Sequence, residues 1–81
     1  MNQNILIANI GKLHTTPMGA QRIIHHLHLD TQDVVEYCKR LILDTNSYIY
    51  RQGKNWYCEI NYIRITICAS SYTIITAHTI Q

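Results

Sequence analysis

From Lys54 to Ile80 the chain reads KNWYCEINYIRITICASSYTIITAHTI, where β-branched and aromatic residues follow one another almost without a break. Such residues suit a pleated, half-buried surface, so this stretch restricts the fold more than any other. Within it Ile63, Ile65 and Ile67 share one parity, and Tyr62, Arg64, Thr66 and Cys68 share the other. That is the period of a strand with one buried face, and it turns Arg64 toward the open side. Four strands are expected, at about Tyr48 to Arg51, Asn55 to Ile60, Tyr62 to Cys68 and Tyr72 to Thr79. Gln52-Gly53-Lys54 forms a short glycine-containing hairpin between the first two. Every connection is too short for a parallel crossover, which needs about a dozen residues, so the strands form an antiparallel meander.

The preceding half carries helical spacing. Leu6, Ile10 and Leu13 recur at i, i+4 and i+7, a pattern for a short helix from about Asn4 to Leu13, although Ile5 and Ile7 also suit a strand. Thr16 before Pro17 is a helix start, because threonine can cap and proline gives up no hydrogen bond in the first turn. The helix from Pro17 to about His26 is expected to bury Met18, Ile23, Ile24 and Leu27. Asp30 is read as the cap of another helix through about Leu43, with Val34, Val35, Cys38, Leu41 and Ile42 inward. The fold class is therefore α+β: two or three N-terminal helices packed on one face of a four-stranded antiparallel meander. With 81 residues the chain forms a single domain around one thin core.

Composition narrows the setting. No apolar run approaches the ~20 residues that span a bilayer. The start, MNQNILIANIGKL, lacks the basic, apolar and small-residue grammar of a secretory signal, so cytoplasmic residence without a membrane is expected. Cys38, Cys58 and Cys68 show no C-x-x-C spacing and are read as reduced thiols. A net charge of +2 permits an RNA partner without the dense basic footprint of a dedicated nucleic-acid binder.

Chemistry-bearing residues fall in two places. His14 stands just before a helix start, where unpaired N–H groups favour anions, and Arg22 lies further along the same helix. On the sheet, Arg64 is joined by the run from Ser71 through Thr73 and Thr76 to His78. Metal-independent RNA cleavage needs a base for the 2′-hydroxyl, an acid for the leaving oxygen and a cation for the charge on phosphorus. Histidine, arginine and hydroxyl groups can fill those roles with no cofactor. Thr73 and His78 have opposite parity, so they share a face only across a bulge or beyond a strand end. His25, His26 and His28 cluster without a cysteine or carboxylate at ligand spacing, and their place near a helix C-terminus suits the dipole alone. Five of six tyrosines, Tyr48, Tyr50, Tyr57, Tyr62 and Tyr72, fall on expected strands, where an aromatic face can stack bases or meet a protein; Trp56 is expected in the core.

The combination of Leu13-His14-Thr15-Thr16, Gly19 and Arg22-Ile23 with Gly53-Lys54-Asn55-Trp56-Tyr57 and Ser71-Tyr72-Thr73-Ile74-Ile75-Thr76-Ala77-His78 resembles a family of small bacterial proteins known only as a domain of unknown function. More loosely, helices followed by a meander ending in Ser-x-Thr-x-x-Thr-x-His are similar to the barnase, EndoU, colicin and RelE-like ribonuclease fold. That resemblance implies a site of His14 or Arg22 from the helical part, Arg64 from a middle strand, and Ser71 or Thr73 with His78 from the last. The chain is less basic than toxin-like members of that group. The leading expectation is thus a toxin-type ribonuclease-like domain, with His14 or His78 as base and acid, Arg22 and Arg64 on phosphate, and Ser71 or Thr73 positioning it. The alternative is a non-catalytic protein-binding module, such as a mobile-element inhibitor or regulator, using the tyrosine face or a sheet edge. An open first strand also permits a homodimer by sheet extension.

Overall fold

The period-two segment folds into one sheet of β1 (Tyr48–Gln52), β2 (Asn55–Ile60), β3 (Ile63–Cys68) and β4 (Ile74–Thr79). The strands lie in chain order and every neighbouring pair is antiparallel. The computed structural model describes residues 2–80, with side chains from residue 5 onward. The cross-strand row Ile49, Cys58, Ile65, Ala77 and the row carrying Trp56, Ile67 and Ile74 point inward and are buried. Ile65 and Ile67 are completely buried, each stabilising the fold by about 1.5–3 kcal/mol relative to an exposed side chain.

Helices α1 (Asn2–Ala8), α2 (Pro17–Leu27) and α3 (Val34–Leu43) cover that face. Leu6, Leu13, Ile23, Val34, Cys38 and Ile42 join the strand residues in one core cluster, giving the α+β architecture. Among the described residues no helix is long and apolar enough to cross a membrane.

Several boundaries depart from the sequence reading. The first helix stops at Ala8, and a 3-10 turn at Ile10–Lys12 carries the chain on to buried Leu13. Asn9 interrupts the helix, its amide side chain donating to the Ile5 carbonyl at 2.9 Å. Thr16 caps α2 as expected, accepting from the Gly19 N–H at 3.0 Å. Met18, however, is exposed: it lies five residues from buried Ile23, roughly 140° around the helix. Gly19 takes the inward place instead. Asp30 caps nothing. His28 adopts a left-handed conformation, Leu29 donates back to the Ile24 carbonyl, and the chain stays irregular until Asp33, whose carboxylate accepts from the Glu36 N–H at 3.2 Å. The D-x-x-E spacing of a helix start lies three residues further on than Asp30.

In the sheet, Tyr62 is not a strand residue. Asn61 and Tyr62 both have positive φ and make the two-residue turn between β2 and β3, which leaves Tyr62 exposed. Tyr72, also at positive φ, precedes β4 rather than opening it. Thr66 sits on the outer parity yet is buried, and Ile63 on the inner parity is only half-buried. Between Thr66 and Ile67 the β3–β4 register shifts, so Ile75 has no partner and is the extra residue of a bulge.

Candidate functional site

The bulge decides which side chains share the outer face. Ile74 and Ala77 are both buried although they are three positions apart, so Thr73, Thr76 and His78 all turn outward. Opposite parity in sequence thus becomes a common face in the fold.

At the β3–β4 turn, left-handed Tyr72 closes a tight loop in which its N–H donates to the Cys68 carbonyl and the Cys68 N–H donates to that of Thr73, both at 2.8 Å. The segment carrying His14 runs along the β4 edge: its N–H donates to the Tyr72 carbonyl, and its carbonyl accepts from the Ile74 N–H at 2.7 Å. Buried Leu13 anchors one side, and on the other the Thr15 hydroxyl donates to the Ile74 carbonyl at 2.9 Å. A Cβ on Gly19 would stand 2.6 Å from the Thr15 hydroxyl oxygen, so glycine leaves the room in which Thr15 turns to β4, whose nearest atom, the Ile74 carbonyl oxygen, is at ordinary contact distance.

The result is a chain of polar contacts between residues far apart in sequence. His14 Nδ1 is 3.0 Å from the Lys12 carbonyl. A carbonyl only accepts, so Nδ1 holds the proton of the neutral ring and Nε2 presents its lone pair. The Thr73 hydroxyl donates to Nε2 at 3.0 Å, and the Ser71 hydroxyl donates to Thr73 at 2.8 Å. Beside this relay stands Lys12, whose ammonium lies 5.7 Å from the Tyr72 ring centroid, and the Lys54 backbone adjoins the turn, its carbonyl accepting from the Ala69 N–H. Arg51, at the neighbouring hairpin, donates to the Gly53 carbonyl. None of the chain's five carboxylates lies in these segments. Cys68 adjoins the relay, its sulfur 3.4 Å from the Ser70 hydroxyl. Hydrogen bonds from the Ser70 hydroxyl foremost, from the Ser71 hydroxyl when its single proton turns from Thr73 to the sulfur, and from the backbone N–H groups of both bring its thiol down from 9.0 to about 6.

The other end of the outer face is organised differently. Arg64 pairs across the strands with Glu59 on one side and His78 on the other. Its Nε donates to Glu59 at 3.0 Å, and the same carboxylate oxygen accepts from the Tyr50 hydroxyl at 2.7 Å. These bonds, that from Tyr50 foremost, lower the Glu59 carboxyl and raise both the Tyr50 hydroxyl and the Arg64 guanidinium. Tyr50 stacks on Tyr57 with ring centroids 5.3 Å apart, and Tyr48 follows at 5.2 Å from Tyr50.

Of the six residues picked from sequence, His14, Ser71 and Thr73 are joined directly, at one end of β4. Arg64 and His78 form a second group, four strand residues from Cys68 and therefore about 13 Å away. Arg22 is exposed on α2, in the helical layer behind the sheet. Sequence reasoning passed over Lys12, Cys68, Glu59 and Lys54. Lys12 was two residues from a singled-out histidine, whereas nothing in the sequence marked Cys68 apart from the other cysteines. His28 leaves α2 at its C-cap, so it and His25 do not form a one-turn helical pair. Among the described residues no group of three metal-binding side chains comes together.

Two concavities lie elsewhere, one lined by Asp30, Asp33, Glu36 and Arg40 and another by Ile7, Ile42, Leu43 and Ile49. His14 and Ser71 are exposed, so the relay is open to solvent. No curated protein and no solved structure matches the chain. The family model described as "Protein of unknown function (DUF3781)" matches residues 7–78, a span that includes every residue of both groups from Lys12 to His78, and the chain belongs to that family.

Proposed function

We propose that the protein cleaves RNA at a phosphate by acid/base chemistry without a metal, and that His14 is its proton acceptor. One observation carries this reading: the neutral tautomer of His14, fixed by the Lys12 carbonyl, aims a lone pair at a hydroxyl from the far end of the sequence. The attacking 2′-hydroxyl gives its proton to Nε2 directly or through Thr73, the bond from 2′-oxygen to phosphorus forms, and that to the 5′-oxygen breaks. The proton returns from the imidazolium through the Thr73 and Ser71 hydroxyls to the leaving oxygen. One histidine thereby serves both half-steps, and the products end in a 2′,3′-cyclic phosphate and a 5′-hydroxyl. Lys12 and Lys54 meet the developing negative charge, a task that needs positioned donors on an otherwise uncharged surface.

The test is incubation of purified protein with mixed RNA in chelator, beside His14→Ala, Thr73→Val and His78→Ala variants. Cleavage lost in the first, reduced in the second and kept in the third supports the assignment. No cleavage by the wild type, or equal cleavage by His14→Ala, ends it. A second reading, a non-catalytic protein-binding module, draws on the Tyr48, Tyr50 and Tyr57 ladder, whose outermost ring is 64% exposed. It predicts no cleavage and a stable protein complex that Tyr48→Ser weakens.

A further inference from the structure

The outer face holds three parallel rows of side chains. Nearest the relay are Asn55, Cys68 and Thr73; next come Tyr50, Tyr57, Thr66 and Thr76; last come Tyr48, Glu59, Arg64 and His78. Rows are two residues apart, about 6.6 Å by strand rise. The middle row is lopsided, since the tyrosines of β1 and β2 form a wall of rings, with Thr66 of β3 buried at its foot and half-buried Thr76 of β4 continuing a low floor beside it. The floor leads from Thr73 to the guanidinium of Arg64.

We infer that this floor is a track for a single strand of RNA, with the scissile phosphate at His14 and Thr73 and a second phosphate at Arg64 and His78. The inference rests on the nuclease reading for the position of the first phosphate. Hydrogen-bonding capacity favours this occupant. The face carries one carboxylate, Glu59, already engaged by Tyr50 and Arg64. Arginine has five N–H donors and Glu59 takes only that of Nε, so the amino groups remain to meet a phosphate while the carboxylate holds the side chain along the sheet. Bases of a single strand can lean on the outer Tyr57 and Tyr48 surfaces, a contact available only to unpaired bases. Duplex RNA presents its bases already stacked and paired, and gains nothing from the ring wall.

The test is fluorescence anisotropy with labelled single-stranded and duplex RNA oligonucleotides of equal length, using the His14→Ala protein so that no cleavage intrudes. Single-stranded RNA is expected to bind at least tenfold more tightly than duplex. Arg64→Gln and the exposed Tyr48→Ser are each expected to weaken single-strand binding by about five- to tenfold, in line with the loss of one phosphate contact or one stacked base. Unchanged circular dichroism shows that these surface variants are folded. Equal affinity for the two RNA forms, or affinity untouched by both variants, overturns the track and leaves the ring wall to a protein partner. The two readings fail separately. Binding with these preferences in a wild type that does not cleave removes the nuclease and keeps the track, whereas cleavage with KM unchanged in both variants removes the track and keeps the nuclease.

Discussion

The two ends of the sheet's outer face contain similar residue types and arrange them oppositely. At the Arg64 end the cation, its carboxylate and a tyrosine hydroxyl neutralise one another within adjoining strands, all between Tyr50 and His78. At the His14 end an imidazole and two hydroxyls are linked across 59 sequence positions, lysines stand nearby, and no carboxylate offsets them. An ion pair this open to solvent adds little to stability because water and salt screen it, and what it leaves is a guanidinium held along the sheet by Glu59. The relay instead keeps a basic nitrogen, His14 Nε2, whose partner is a neutral hydroxyl. Similar residues thus form a neutralised cluster at one end and an uncompensated relay at the other, and the difference lies in what neutralises them.

The most drastic way to break the comparison is Ile65→Asp. Ile65 is completely buried in the strand that links the two ends. An unpaired buried carboxylate costs several kcal/mol, against a total stability of about 4–12 kcal/mol for 81 residues. Thermal or urea unfolding should find the variant unfolded or nearly so, with both ends lost together. A folded variant would mean that the sheet is inside out.

Next in size is the kinetic contrast. His14→Ala should lower kcat by about 10²–10⁴-fold, the usual contribution of a positioned acid or base. Arg64→Gln should raise KM several-fold and leave kcat close to wild type, because it holds substrate at a distance from the reacting phosphorus. If Arg64→Gln instead lowered kcat as much as His14→Ala, the two ends would be one site and the contrast between them would dissolve.

Much of the frame was legible in the sequence because it depends on local rules. Parity placed Ile65, Ile67 and Arg64, Thr16-Pro17 marked the start of α2, and Gly53 marked a hairpin. What stayed hidden depends on single backbone conformations or on distant partners. Asn61-Tyr62 read as strand because tyrosine rarely adopts positive φ, and only the hairpin geometry forces it. The bulge at Ile75 shifts every later residue of β4 by one place, and an Ile-Ile pair gives no sign of it. His14 and Thr73 were each visible as candidates, but their contact depends on how the segment before α2 lies along β4, where the Thr15 hydroxyl that bonds Ile74 occupies the space beside Gly19.

Gly19→Ala tests that dependence. In an ordinary helix interior the change stabilises by about 1 kcal/mol. Here the added methyl meets the Thr15 hydroxyl at 2.6 Å, while Thr16 at 3.1 Å leaves little room to give. Thr15 must yield its bond to the Ile74 carbonyl, worth about 1 kcal/mol, and residual overpacking adds about 1–3 kcal/mol. The net expectation is destabilisation by about 1–3 kcal/mol on these terms, read as a lower urea midpoint. His14 shifts with Thr15, so the relay end should lose function while the Arg64 end is untouched. A more stable variant with full activity would show that the space Thr15 occupies beside Gly19 does not set the position of His14.

The smallest effect separates the relay end from the core by its thiol chemistry. Cys68 sits among the N–H and O–H groups of Ser70 and Ser71, which favour the thiolate and bring the thiol down to about 6. Burial pushes Cys38 up to about 12 and Cys58 up to about 11, because each would have to carry its charge away from water. The signs for stability are therefore opposite. The core thiols' contribution is fully present below an ordinary thiol value of 9.0 and is lost as pH rises toward 11–12. That of Cys68 is present above 9.0 and is lost as pH falls through about 6. Iodoacetamide labelling of the folded protein should follow the same division. Cys68 reacts with a rate that rises through about pH 6, and Cys38 and Cys58 stay unlabelled until the protein unfolds. Ser71→Ala removes one of the groups favouring the thiolate and should move the Cys68 midpoint upward. An unmoved midpoint would mean that Ser71 donates only to Thr73, and the thiol would then lie beside the relay without being coupled to it.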